Sequence, residues 1–189
     1  MAANLALTKA AGVNCPKTGG VKRLFAIKTD DINTITLGTT AHDVTDLLFA
    51  TSGKGFGEIG FKRGECELTE SMERSNTVEV NFSIPNPTAA QRFQLEEIRN
   101  ACEQYYVAEL YDDERLLFIG YDGTYQEEAF VSFTSAESTS GRAKDDDNLF
   151  SMTMTAEQGE FLRVLSGLST VSATTNAAII AELLAATNV

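Results

Sequence analysis

GRAKDDDNLFSMTMTAEQGE, residues 141 to 160, begins as a charged loop and turns into a clean alternation. Phe150, Met152 and Met154 fall on one side; Ser151, Thr153 and Thr155 fall on the other. Side chains of a strand point alternately to its two faces, so Leu149 to Ala156 predicts a strand with one buried and one hydroxyl-bearing face. A strand of that kind belongs to an antiparallel sheet with one face in a core and one in water.

Working outward, the same logic finds more strands. Thr77 to Ile84 (TVEVNFSI) sets Val78, Val80, Phe82 and Ile84 against Glu79, Asn81 and Ser83. Phe56 to Thr69 (FGEIGFKRGECELT) alternates too, with glycines at 57, 60 and 64. Joined through ELTESMERSN, the two predict a long hairpin with a polar tip. Val21 to Thr29 has no clean face, which predicts a strand covered on both sides. A short strand follows at Thr34 to Leu37, and His42 to Thr51 reads as either a short helix or a loop. Between Asn86 and Gln104 the period changes. Asn86 with Pro87, or Thr88 with Gln91 as a capping box, starts a helix over about 87–104. Leu95, Ile98, Cys102 and Tyr105 form its apolar stripe. Strands resume at Tyr105 to Tyr111 and at Arg115 to Gly120. An Asp122-Gly123 turn leads to Thr124 to Ser135, with Tyr125, Ala129, Val131 and Phe133 on one side. A loop follows from Ala136 to Asn148.

These elements predict a mainly β fold: an antiparallel β-sandwich or barrel with one flanking α-helix, a long hairpin and extended terminal arms. Residues 1–20 read as an arm, 21–168 as the β domain, and 169–189 as an extension. In that extension Asn176 or Thr175 caps a short helix through Ala186 that is apolar almost all round. Such a helix has to be buried, and its place at the end of the chain points to a partner or a neighbouring copy. Deleting it is then expected to improve monomer solubility.

Composition bounds the function. The 189 residues carry a formal net charge of -12 and are 43% hydrophobic, enough for a folded core. A surface this acidic disfavours tight phosphate binding, since affinity for DNA is largely electrostatic, but suits standing beside a duplex without capturing it. Aromatic residues are not interleaved with Lys or Arg, so no base-stacking surface is expected. Cys15, Cys66 and Cys102 are widely spaced with no CxxC pair, which leaves a thiolate metal site unsupported and points to synthesis in a reducing cytoplasm. The start MAANLALTKAAG lacks the apolar run of a secretory leader. AAIIAELLAA is too short to span a bilayer.

Chemistry is sparse. The lone His42, beside Asp43, has no nucleophile elbow to serve. GKGFGEIG, 53 to 60, lies on a strand pattern and lacks the Lys-Ser/Thr ending of a phosphate loop. Asp145, Asp146, Asp147 and Asn148 run consecutively rather than at alternate positions, so they do not form an EF-hand. No catalytic residue, cofactor or metal site is expected, and the chain does not read as an enzyme. An arm, a hairpin and an apolar tail that one domain cannot satisfy alone point to assembly with other copies.

Two stretches carry a resemblance. NCPKTGGVKRLFAIKTDDI, 14 to 32, resembles the opening of phage tail-type structural proteins, with a Cys/Gly-Gly lead-in, a basic-aromatic strand and an acidic turn. TSGRAKDDDNLFSMTMTAEQGE, 139 to 160, resembles the late loop and strand of the tail tube proteins of tailed bacteriophages, the major tail protein family. Together they cover about a fifth of the chain. The resemblance implies a β-sandwich or barrel with one flanking helix and six copies in a ring. It implies stacked rings, a channel lined by inner strands, and a hairpin and arms that lock ring to ring. Its expected partners are the protein itself, other tail or connector proteins, and genome DNA that passes without specific binding; no membrane span is expected. Its expected location is the virion tail, after synthesis in the host cytoplasm.

On that plan Ser151, Thr153, Thr155, Gln126, Glu128, Ser132 and Thr134 line the channel. Glu67, Glu70, Glu73, Arg74, Arg142, Lys144, Asp145, Asp146 and Asp147 meet neighbouring subunits or rings. Two other readings remain open: a head–tail connector, stopper or other ring-forming virion protein, and a small-ligand-binding β-barrel.

Overall fold

Leu149–Gln158 forms strand β12, and its alternation is realised: Met152, Met154 and Ala156 are buried while Ser151, Thr153 and Thr155 are only partly so. The computed structural model of the chain describes residues 20–39, 42–50, 54–72, 76–111, 115–123, 127–140, 148–168 and 175–185. β12 pairs antiparallel with β11 (Ser132–Thr139) on one side and with β6 (Asn76–Pro85) on the other. Beyond β6 lies β5 (Cys66–Met72), so the four-stranded sheet has the order β11-β12-β6-β5. β6 buries every second residue along its whole length, as its sequence predicts.

The second sheet has seven strands. They are β1 (Val21–Lys28), β2 (Ile32–Leu37), β3 (Asp43–Phe49), β4 (Gly57–Ile59), β7 (Gln104–Leu110), β8 (Leu116–Ile119) and β13 (Arg163–Leu165), in the order β2-β3-β13-β8-β7-β1-β4. Its pairings are antiparallel except β13 with β3. A two-stranded piece, β9 (Tyr121–Asp122) with β10 (Glu127–Glu128), stands apart. The result is a mainly β, sandwich-like fold with two open sheets.

Both faces of the seven-stranded sheet are buried. Leu24, Tyr106, Ala108 and Ile119 face the four-stranded sheet and pack with Val80, Phe82, Met152 and Met154. Phe25, Val107, Leu116 and Phe118 face the other way and pack with Ile179, Ile180 and Leu183 of α2 (Asn176–Ala185). The tail helix therefore forms as expected but is buried against its own sheet, not against a partner. The reason is the unclean pattern of strands such as β1: a sheet apolar on both faces needs a second cover, and α2 supplies it. The carbonyl of Leu183 also accepts the backbone N–H of Phe56 at 2.8 Å.

Several boundaries differ from the sequence reading. Asp43–Phe49 is a strand rather than a helix or loop, because β3 is held between β2 and β13. Phe56 to Thr69 divides: β4 joins the seven-stranded sheet, and only β5 forms the hairpin with β6. Of the expected polar tip ELTESMERSN, residues 67–72 belong to β5 and Asn76 to β6, so the described part of the hairpin lies within the sheet. Thr124 to Ser135 is likewise broken. Glu127–Glu128 pairs with Tyr121–Asp122, Val131 bridges to Gln104, and the long strand begins at Ser132 and runs on to Thr139.

The internal helix α1 is Ala89–Asn100, with the capping box Thr88–Gln91 formed. It stops short of Gln104 because that side chain caps it. Gln104 Nε2 donates to the carbonyls of Ile98 and Ala101 at 2.7 and 2.9 Å, which satisfies carbonyls left open at a helix end. Leu95 seats the helix in the core between the sheets. Cys102, assigned to the same stripe, is exposed, and Tyr105 belongs to β7.

Candidate functional site

The outward face of the four-stranded sheet is the most distinctive surface of the molecule. Register fixes its residues. Across β11, β12 and β6, Ser132 stands beside Thr155 and Glu79, and Glu137 stands beside Ser151 and Ser83. Thr153 pairs with Asn81, which pairs in turn with Glu67 of β5. Thr69 lies opposite Glu79, and Ser71 opposite Thr77. From the Ser83–Ser151 pair to the Thr77–Glu157 pair this face carries hydroxyl, amide and carboxylate groups only. Leu149 and Pro85 pair at its far end.

Alternation explains the face: each residue buried toward the core forces its neighbours outward. The outward groups then bond to one another. Thr153 Oγ1 donates to Asn81 Oδ1 at 2.7 Å, and Asn81 Nδ2 donates to Glu79 Oε1 at 2.6 Å. The hydroxyls of Ser83 and Ser151 lie 2.9 Å apart, and those of Thr134 and Thr155 2.7 Å apart. The hydroxyls are thus held in a ladder across three strands. Among the described residues, this face has four carboxylates, Glu67, Glu79, Glu137 and Glu157, and no Lys or Arg. Its field is negative, and it offers no fixed donor array for a phosphate.

Of the channel-lining candidates, Ser151, Thr153, Thr155, Ser132 and Thr134 come together here. Glu128 does not: its backbone belongs to β10, outside the four-stranded sheet, because the chain between Thr124 and Ser135 is not one strand. Gln126 lies outside the described residues, as do the contact candidates Glu73, Arg74, Arg142, Lys144, Asp145, Asp146 and Asp147. Glu67 shares the face of the lining candidates. Glu70 is engaged within the chain, where Oε1 accepts Asn76 Nδ2 at 2.6 Å and the Leu162 backbone N–H at 2.9 Å. Sequence reasoning missed Glu79, Asn81, Ser83, Glu137 and Glu157. The strict alternation of Thr77 to Ile84 was the signal that holds the first three.

Both margins of this sheet, β11 and β5, are edge strands. β11 is exposed over nearly its full length. Such edges present backbone N–H and C=O groups able to pair with another chain.

Elsewhere the ionic contacts are local. Arg23 holds Glu58 through two bonds of 2.7 and 2.8 Å; that contact lowers the Glu58 carboxyl below its ordinary range and raises the Arg23 guanidinium. Lys22 reaches the buried Glu109 at 2.6 Å. Burial alone pushes the Cys66 thiol up to about 12, so it is inert at neutral pH. A groove of about 590 Å³ runs between α1 and the end of the seven-stranded sheet, lined by Lys28, Lys54, Glu97 and Gln104 among others. Among the described residues, no three His, Cys, Asp or Glu side chains gather as a metal set, and no helix is long and apolar enough to cross a membrane.

The arrangement is two packed β-sheets, with α2 over the far side of the seven-stranded sheet and a polar, acidic face turned outward on the four-stranded one. No family model, curated protein or solved structure matches the chain.

Proposed function

We propose that the protein is a self-assembling structural subunit of a bacteriophage tail tube. Copies join edge to edge, β11 of one beside β5 of the next, and close into a ring with the hydroxyl- and carboxylate-bearing face inward. The observation that carries this reading is the two-sidedness of the four-stranded sheet. One face is locked into the core; the other has, among the described residues, no basic group and a self-bonded hydroxyl ladder, and both its margins are edges. A wall of this kind repels a phosphate backbone and gives it nothing to bind, so a duplex slides past it.

The dimensions are consistent with a conduit. Six copies of four strands make a ring of 24. With strands ~4.8 Å apart and tilted by ~40°, its backbone diameter is about 48 Å, and about 38 Å remains between inward side chains. That is wider than a DNA duplex. Stacking of rings makes a tube. Its further partners are other tail or connector proteins, and its location is the virion.

The reading is tested by charge. Ser151→Arg together with Thr153→Arg puts two cations per copy on the wall without touching the core face. Assembled tubes carrying them are expected to retain DNA and slow its passage. Unchanged passage would remove this face from the channel.

A further inference from the structure

The four-stranded sheet has two ends. The Asn76–Gln158 pair marks one and the Pro85–Leu149 pair the other, at opposite ends of the ten residues of β6. At ~3.3 Å per residue the ends are about 30 Å apart. Among the described residues, the large apolar side chains left exposed are Phe93, Phe161 and Leu184. Phe161 belongs to the first end, in the connection from β12 to β13, and is 55% exposed. Its neighbours are tied down. The Glu160 carbonyl accepts Asn76 Nδ2 at 2.9 Å, and the Leu162 N–H donates to Glu70 Oε1 at 2.9 Å. The Phe161 carbonyl itself lies 2.7 Å from His42 Nε2. The ring therefore projects from a held stem, and burying it in a partner would cost little ordering of the backbone.

The second end holds a receptacle. The groove of about 590 Å³ between α1 and the margin of the seven-stranded sheet includes Ile84, next to Pro85, and Gln104, which closes α1. Ile59, Ile84, Leu95 and Ile98 give it apolar walls. Its sheet side is low, since Gly57 and Gly60 line it and a Cβ built at Gly60 meets nothing within 4 Å. Charge differs between the two ends. In the groove Lys28 and Lys54 are exposed and in no ion pair among the described residues, against Glu97 on the helix side; Glu58 is already held by Arg23. At the first end Glu160 is held by Arg163, but the exposed Glu70 and Glu157 face no cation among the described residues. An acidic end with a projecting aromatic ring thus complements a groove with apolar walls and an excess of lysine.

We propose that Phe161 of one copy seats in the groove between α1 and β4 of a second copy, so that successive rings stack head to tail through this contact. The place of the contact in a tube rests on the reading above, in which the strands run between the two rims of each ring. The contact itself does not depend on ring closure. It joins unlike surfaces at opposite ends of the chain, so it does not close on itself and continues from copy to copy. In a ring it repeats in every copy, so a loss at one contact multiplies across the junction.

Two experiments test it on the full-length protein. The first is disulfide trapping in a Cys15→Ser, Cys102→Ser background that keeps the buried Cys66. Phe161→Cys combined with Gly60→Cys is expected to give, on oxidation, a non-reducing ladder of dimers, trimers and longer chains, while either substitution alone stops at dimers. No ladder beyond the dimer would overturn the contact. The second is electron microscopy of Phe161→Asp, whose site is exposed enough to keep the fold; an unchanged unfolding midpoint checks this. Rings of unaltered diameter are expected, with stacking weakened by about 10- to 100-fold per contact and tubes correspondingly short. Tubes of unaltered length would overturn the contact and leave the tube reading standing. Neither rings nor tubes from the unaltered protein would overturn the tube reading, and the ladder then decides the contact by itself.

Discussion

Leu183→Ala tests whether the tail helix belongs to the fold of its own chain. Leu183 is fully buried, in a cluster with Phe25, Val107, Phe118 and Ile179. Its backbone carbonyl holds the Phe56 N–H, and alanine keeps that bond, so the substitution removes packing alone. Truncating a buried leucine to alanine costs about 2–5 kcal/mol, the lower figure where the site collapses and the upper where a cavity stays open. For a chain of this size each kcal/mol moves the unfolding midpoint by ~2–4 °C, so a fall of about 5–15 °C is expected. The assay is thermal unfolding by circular dichroism on dilute, unassembled protein at several concentrations. The fall should be independent of concentration, because the contact is within one chain. An unchanged midpoint in the dilute protein would refute the packing and return α2 to a neighbouring copy. Removal of residues 175–189 carries the same message. It uncovers Phe25, Val107 and Phe118 and is expected to lower solubility, the reverse of what the apolar tail suggests when read as a free extension.

Three further outcomes are expected. Gly120 has φ +106°, and a Cβ there would lie 3.0 Å from the Gln104 carbonyl and 3.2 Å from the Tyr105 ring; Gly120→Ala should lower stability by about 1–3 kcal/mol, measured by urea titration. A thiol reagent at pH 8 should label exposed Cys102 quickly and Cys66 only as fast as the protein opens, since burial holds Cys66 protonated there; equal rates would contradict the packing. The Arg23–Glu58 contact lowers the Glu58 pKa, so its stabilisation is complete above the ordinary glutamate range and fades as pH falls through the lowered folded value. The pair is partly exposed, so its contribution is only about 0.5–1 kcal/mol. Unfolding of Arg23→Gln against pH should show a difference near neutrality that shrinks in acid.

The sequence made some of this legible and hid the rest for physical reasons. β12 and β6 were readable because each has one buried and one wet face, and only such strands alternate. The hydroxyl ladder follows from that reading once the two strands are known to be neighbours; their pairing is a long-range fact that no local pattern carries. β3 escaped because its burial does not alternate cleanly: Leu47 and the largely buried Asp46 adjoin in the chain. α2 was legible as a helix, but its destination was not, since the face it covers is assembled from β1, β3, β7, β8 and β13, strands far apart in sequence. Gln104 read as the end of a helix and is the side chain that ends it. Glu128 was assigned to the lining face by parity along one long strand, and parity fails where the chain breaks between β10 and β11. Glu70 read as a contact residue on the hairpin; it is exposed, but its carboxylate already accepts the Asn76 amide and the Leu162 N–H of its own chain.

The central claim is that the polar face becomes the wall of a channel when copies join through their edges. Electron microscopy of the purified protein over a range of concentrations tests it most directly. The account predicts rings or hollow tubes with a lumen of about 38 Å and four strands per copy in the inner wall. Monomers at every concentration, or an assembly in which the Ser151–Thr153–Thr155 face lies on the outside, would contradict it.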